Sequence, residues 1–323
     1  MSLRLLSLAE VKQSITMEQA IAAMERAFIQ LAKQEVKLPL RTGIPVAEEN
    51  ALTLTMPAYL ASDKTLGLKV ASIFPNNPAK NKPSITGFIM LLDATTGEPK
   101  VLMDAAYLTA LRTGAVSGLA TKYFARDDAS HVAIIGSGPQ AFTQLEAVAA
   151  VRNIKRVSLW SRNQENAEKL AKKIAYQYEV KVHDSVPKAI RAADIICTAT
   201  SSIEPLIHFN SLQPHTHINA IGSHSPAMKE IANDVLSQAV VIADQLEAVL
   251  SESGEIISAI EQNQLKKEAI IEFGQYLLHK EKNYSDQLTV FKSVGLAIQD
   301  LSVAEVVYQN ALKNNLGSSF SLG

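Results

Sequence analysis

The chain has 323 residues, of which 47% are hydrophobic and 20% charged, a composition that supports two hydrophobic cores and excludes a disordered chain. Thirty-one basic residues against 32 acidic ones leave a net charge of −1, so a small molecule is the expected partner, not nucleic acid or an anionic membrane. The single cysteine, Cys197, excludes an intramolecular disulfide, and no apolar run approaches the roughly 18 residues of a membrane span, so the expected location is the cytoplasm.

Thr16 reads as the N-cap of a helix over Met17 to Lys33, because Ile21, Met24, Phe28 and Leu31 recur at spacings of three and four. Short β-prone runs follow at Thr42 to Val46, Ala51 to Met56, Leu66 to Phe74, Ile85 to Leu92 and Lys100 to Met103. The turn Thr96-Gly97-Glu98-Pro99 suits an antiparallel connection. Ala105 to Phe124 returns to helical spacing, with small residues that permit close packing, and is expected to bridge two domains. Strand and helix patterns then alternate, the signature of a doubly wound parallel sheet. The strands fall at His131 to Ile135, Arg156 to Trp160, Val180 to His183, Asp194 to Thr198, His217 to Ile221, Val240 to Ala243 and Thr289 to Phe291, with helices clearest at Gln140 to Val151 and Asn163 to Tyr176. Leu296 to Lys313 is a last amphipathic helix, able to pack back on the first domain. The tail Gly317 to Gly323 is expected to fray. The expected class is therefore α/β: a Rossmann domain over 118–299, and an α+β domain with a mostly antiparallel sheet over 1–117, completed by 300–323.

The run His131 to Ala141 supplies a buried strand, a glycine turn and a helix start. Gly136 allows the tight turn, Gly138 lets the backbone approach a pyrophosphate, and Ala141 lets the helix lie close on the strand. Ser137, Pro139 and Gln140 complete the turn, and its helix N-terminus offers N–H groups and a positive dipole end to phosphates. At the end of the second strand, where an acid would pair with a free ribose 2′-hydroxyl, stand Ser161, Arg162 and Asn163. A guanidinium fork matches a 2′-phosphate, so NADPH is the expected cofactor, with NADH also possible. No histidine has ligand spacing with a carboxylate or thiol partner, so no metal is expected. His215 and His217 read as capping or rim residues, and Cys197 as a buried structural thiol.

Several strings together resemble the ornithine cyclodeaminase and mu-crystallin family: Gly67 to Val70, Ala110 to Ser117, the Gly136 turn, Asn219 to Gly222, and Thr289 to Gly295. The resemblance runs in order from about Leu5 to about Asn314. It implies an N-terminal substrate and dimerisation domain, a dinucleotide domain and a homodimer. It also implies that Arg41, Lys69 and Arg112 hold a substrate carboxylate, and that Ser84, Thr113, Thr198, Thr200, Gly222 and Lys292 lie on the cofactor side. Two positions depart from the cyclodeaminase pattern. His224 stands where those enzymes carry an aspartate after the glycine, and Leu54 stands where they carry an acid ahead of the Met56-Pro57 step.

Both departures disfavour a diamine substrate and favour a cyclic imine whose one fixed anion is its carboxylate. The expected function is NADPH-dependent reduction of cyclic imino acids, Δ1-pyrroline-2-carboxylate to proline or Δ1-piperideine-2-carboxylate to pipecolate. Leu54 and Met56 would wall the ring, and His224 or Lys69 would supply the proton. The alternatives are cyclodeaminase or alanine dehydrogenase chemistry, and a non-catalytic protein that binds NADPH and a small ligand.

Overall fold

The computed structural model describes residues 2–280 and 282–323. The chain divides into two compact units: one runs to Arg112 and resumes at Leu296–Gly323, and the other is Thr113–Gly295. Among the described residues no helix is long and apolar enough to cross a membrane.

In the first unit the strands are β1 (Ser2–Leu6), β2 (Val36–Lys37), β3 (Thr42–Val46), β4 (Ala51–Leu60), β5 (Thr65–Ile73), β6 (Ile85–Asp93) and β7 (Pro99–Asp104). With the C-terminal strand Ser318–Ser321 they form an eight-stranded sheet in the order C-terminal strand, β1, β7, β6, β5, β4, β2, with β3 also paired to β4. Neighbours are antiparallel except β1 and β7. Side chains alternate cleanly between its faces: Met56, Ala58, Gly67, Lys69, Ile89, Leu91, Val101 and Met103 are buried, whereas the residues between them are half-exposed. The helix Ala297–Lys313 packs on β4, β5 and β6 over the buried face. It also packs against the helix Met17–Ala32, which Thr16 and Gln19 close with a reciprocal capping box.

One assignment changes here and one element is added: the tail does not fray, and Ser2–Leu6, not assigned from the sequence, is a strand. Gly317, at φ +89°, reverses the chain after the last helix and donates its N–H to Glu10 Oε1 at 3.0 Å, while Arg4 donates to the Leu316 carbonyl. Ser318–Ser321 then pairs antiparallel with β1. Its serines carry no apolar alternation, so backbone pairing makes this edge strand, with the Ser2 and Ser319 hydroxyls 2.6 Å apart.

In the second unit β8 (His131–Ile135), β9 (Arg156–Trp160), β10 (Glu179–Val182), β11 (Ile195–Thr198), β12 (His217–Ala220), β13 (Val240–Ala243), β14 (Ile271–Glu272) and β15 (Thr289–Lys292) form an all-parallel sheet. Its order is β10, β9, β8, β11, β12, β15, β13, β14. The chain builds outward from β8 to β10 and then returns to β11 on the other side of β8. That reversal opens a crevice at the carboxyl ends of β8 and β11, where open α/β sheets bind ligands. The inner strands are buried on both faces, with Ile135, Ile196 and Ile218 in one core cluster and Ile134, Ile195 and Cys197 in the other. Each such side chain contributes about 1.5 to 3 kcal/mol on burial.

Position in this sheet also corrects His217. It opens β12, between β11 and β15, and is fully buried instead of lying on a rim. Its Nδ1 lies 2.8 Å from Thr289 Oγ1 and its Nε2 lies 3.2 Å from Asn219 Oδ1; burial pulls its pKa down to about 3, so the ring is neutral. Cys197 is likewise sealed in, and burial pushes its thiol up to about 12, which removes it as a nucleophile.

Candidate active site

At the end of β8 the chain turns at Gly136, whose φ of +125° favours glycine; a Cβ there would stand 2.4 Å from the Ala199 carbonyl oxygen. Gly138 is the N-cap of the helix Pro139–Ala149 and has open space where a Cβ would point. Pro139 fills the first helical position, where its missing N–H would have no intrahelical partner. Ala141 is fully buried. An enclosed first glycine, an open second one and a row of helix N–H groups fit a pyrophosphate in shape and charge.

Beside this turn lies a cleft of about 290 Å³ lined by Gly136, Ser137, Ser161, Arg162, Asn163 and Thr200 among others. The Ser137 and Ser161 hydroxyls are 2.8 Å apart, and the Asn163 side chain caps the next helix by accepting from the Asn166 N–H at 3.2 Å. Arg162 is exposed on the cleft wall and enters no ion pair among the described residues. Gln140 Oε1 is buried with no hydrogen-bond partner among the described residues.

Glu230, which no sequence motif singles out, ties the crevice together. Its fully buried carboxylate accepts from the Thr198 hydroxyl (2.7 Å), the Thr200 N–H (2.7 Å), the Thr200 hydroxyl (2.8 Å) and the Gly222 N–H (2.7 Å). Burial pushes its pKa up, and the Lys292 charge and the threonine hydroxyls work against that rise. Thr198 and Thr200 therefore point their hydroxyl protons inward and help hold the backbone of the crevice. Lys292 works in the same sense. Because β15 is an inner strand, its ammonium is fully buried, donates to the Ser223 carbonyl at 2.6 Å and lies 2.9 Å from Glu255 Oε1. It supports the loop after Gly222. His224, on that loop, is exposed.

In the first unit, Lys69 on β5 pairs in register with Met56 on β4 and Ile89 on β6. From the covering helix, Asp300 reaches down to it. Lys69 Nζ donates to Asp300 Oδ2 at 2.7 Å, Arg112 Nε donates to Asp300 Oδ1 at 3.1 Å, and Arg112 Nη1 donates to Gln299 Oε1 at 2.6 Å. Lys69 is 2% exposed and Asp300 0%. Burial pulls the Lys69 pKa down to about 8; Asp300 raises it, and the charges of Arg112 and Arg41 lower it further. The structure thus brings Arg41, Lys69 and Arg112 within one electrostatic neighbourhood, but Asp300 already offsets part of their charge. Asp300 stands in the first turn of a helix whose residues 297–304 are all buried, and a carboxylate so placed calls for a buried cation.

Met56 is buried on the Lys69 face of the sheet, and Leu54, opposite Ala71, is half-buried on the same face. Ser84 is half-buried just ahead of β6, where its carbonyl accepts the Phe74 N–H at 2.7 Å. Thr113 follows Arg112 on the helix Ala106–Phe124, and its carbonyl accepts the Gln144 amide at 3.0 Å.

Residues 2–315, nearly the whole chain, match the pattern of the ornithine cyclodeaminase/mu-crystallin family. The chain belongs to that family. It is 36% identical over 319 residues to the Δ1-pyrroline-2-carboxylate reductase of Bacillus thuringiensis subsp. konkukian, a match covering 97% of this chain and 98% of the relative. Its fold is similar to that of Thermococcus litoralis Δ1-pyrroline-2-carboxylate reductase in complex with NADH and L-proline, with a TM-score of 0.93, 37% identity and coverage of 98% of this chain and 99% of that one. An archaeal alanine dehydrogenase dimer with bound NAD superposes with a TM-score of 0.93 at 33% identity, covering 100% of both chains. For a member of the ornithine cyclodeaminase/mu-crystallin family, the motif residues divide between the units: Arg41, Lys69 and Arg112 lie in the first, and the Gly136 turn and Gly222 in the second.

Proposed function

We propose that this protein reduces cyclic imino acids with NADPH as its preferred cofactor, taking Δ1-pyrroline-2-carboxylate to L-proline and Δ1-piperideine-2-carboxylate to L-pipecolate. The observation that carries this reading is the cationic group in the first unit. Lys69 and Arg112 are fixed on Asp300, Arg41 acts on the same centre, and Leu54 and Met56 share the sheet face. Such a site suits a substrate with one carboxylate and an apolar ring. The 36% identical reductase and the neighbour that holds NADH and L-proline support the same chemistry.

The cofactor supplies a hydride when bound. This chain's residues do the rest: Arg41, Lys69 and Arg112 bind the carboxylate, Leu54 and Met56 cover the ring methylenes, and Lys69 or His224 gives a proton to the imine nitrogen. One hydride on carbon and one proton on nitrogen convert the C=N bond to CH–NH, which balances the reaction.

The test follows NADPH absorbance with five- and six-membered cyclic imines, against L-ornithine, L-lysine, and pyruvate with ammonia. Oxidation with the imines is expected, and it should fall as pH rises through about 8, because Lys69 loses its proton there. Ammonia and proline from ornithine, with no NADPH oxidation by either imine, would replace this reading with cyclodeamination.

Preference for NADPH rests on Ser161 and Arg162 lining the cleft where an acid would read a bare ribose hydroxyl. Arg162→Asp should reverse the preference in fluorescence titrations with the two reduced cofactors. Equal dissociation constants for NADPH and NADH in the unmodified protein would refute it.

The working form on this reading is a cytoplasmic homodimer, and the sealed Cys197 thiol is at home in a reducing compartment. On the sheet face opposite Lys69, Leu5, Leu102, Met90, Leu68 and Pro57 form one cross-strand row, all half-exposed. Phe88, Val70 and Tyr59 extend it. A broad apolar face of this kind suits a second copy of the same sheet stacked about 10 Å away. The similar alanine dehydrogenase is a dimer.

A further inference from the structure

We propose that Gln299 and Asp300 complete the carboxylate site: Gln299 is a further substrate-binding residue that donates through Nε2, and Asp300 is the positioning residue that fixes Lys69 and Arg112. The inference rests on the imino-acid reading and deepens it. An arginine has donors and no acceptor, so the 2.6 Å contact from Arg112 Nη1 identifies the facing Gln299 atom as the amide oxygen. The amide nitrogen must then point elsewhere. Gln299 is fully buried, and among the described residues this nitrogen has no hydrogen-bond partner. A buried N–H2 without an acceptor is an unmade hydrogen bond that a bound acceptor would complete.

The charges nearby decide what that acceptor is. Both Asp300 oxygens are already used, one by Lys69 and one by Arg112, and Arg41 adds a third cation acting on Lys69. Two cations, Lys69 and Arg112, share the single Asp300 carboxylate, which favours a further anion, and a carboxylate offers an oxygen to the guanidinium and another to the amide. A glutamate at position 299 would place an acceptor and a negative charge at the same point. Glutamine makes this position a donor.

Asp300 acts one step further from the substrate. Without its contacts, two long cationic side chains would lose their fixed geometry, and Lys69, faced by Arg112 and Arg41, would give up its proton at lower pH.

The experiment uses the full chain loaded with NADPH and two planar probes, pyrrole-2-carboxylate and pyrrole-2-carboxamide, in calorimetric titrations. The unmodified protein should prefer the carboxylate. Gln299→Ala should weaken the carboxylate about 10-fold, the loss of one hydrogen bond to a charged group. Gln299→Glu should abolish the preference, because its oxygens accept from the carboxamide and repel the carboxylate. NADPH affinity retained in both variants reports an intact fold. Carboxylate affinity unchanged in both variants, with the probe still bound by the unmodified protein, would overturn the role of Gln299 alone; no carboxylate binding to the unmodified protein would overturn the imino-acid reading with it. For Asp300, Asp300→Asn should move the high-pH fall in imine reduction to lower pH. A merely structural role would lower the rate and leave that midpoint in place, which would overturn the positioning role.

Discussion

Arg112→Ala is expected to leave NADPH affinity nearly intact and to weaken substrate binding by roughly 2 to 5 kcal/mol, the range for truncating one partner of a buried charge pair. That corresponds to a loss of roughly 30-fold to 4,000-fold in affinity. Two effects add. The substrate carboxylate loses a guanidinium, and Asp300 Oδ1, which accepts Arg112 Nε at 3.1 Å, loses its ion-pair partner in a fully buried place. The pH profile supplies a second sign. Arg112 lowers the Lys69 pKa, so its removal should move the loss of the Lys69 proton, and with it the high-pH fall in reduction, upward from about 8. Titrations with pyrrole-2-carboxylate and rate profiles with a cyclic imine read the two effects separately. Unchanged carboxylate affinity would remove Arg112 from the site.

The second large effect is expected from Leu68→Asp. Leu68 sits at the middle of β5, in the half-exposed row between Met90 and Pro57, and its side chain faces away from Lys69 and the covering helix. An aspartate there is tolerated by a monomer in water. In a dimer whose two sheets stack on this face it would be buried twice without a partner, at a cost of several kcal/mol for each charge. Sedimentation should therefore show a dimer for the unmodified chain and a monomer for the variant, with NADPH binding retained because the dinucleotide turn lies in the other unit. A variant that stays dimeric would move the interface to another surface.

The secondary structure around the dinucleotide turn was legible from local signals. The runs His131–Ile135 and Arg156–Trp160 coincide with β8 and β9, and Val132 to Ile135 is unbrokenly apolar because an inner parallel strand is buried on both faces. Thr16 announces the N-cap of its helix, and Gly136 announces a turn that almost no other residue could make. In the first unit the β-prone runs were legible but their faces were not: the buried face of β5 carries Thr65, Gly67 and Lys69, whereas Leu66, Leu68 and Val70 are half-exposed.

What the sequence could not supply was the partner of each buried charge. Nothing about Glu230, Asp244, Glu255 or Asp300 in the primary structure distinguishes them from surface acids, yet all four are buried. Asp300 lies 231 residues from Lys69 and 188 from Arg112, and Glu230 lies 32 from Thr198. Asp244 holds the turn after β15 by accepting from Ser293, Val294 and Gly295, 49 to 51 residues away. The tail strand Ser318–Ser321 and the sealed His217 were decided in the same way, by where neighbouring strands lie. Periodicity and glycine turns act over a few residues and so are written locally, whereas pairing a desolvated charge or closing a sheet edge depends on chain segments that meet only after folding.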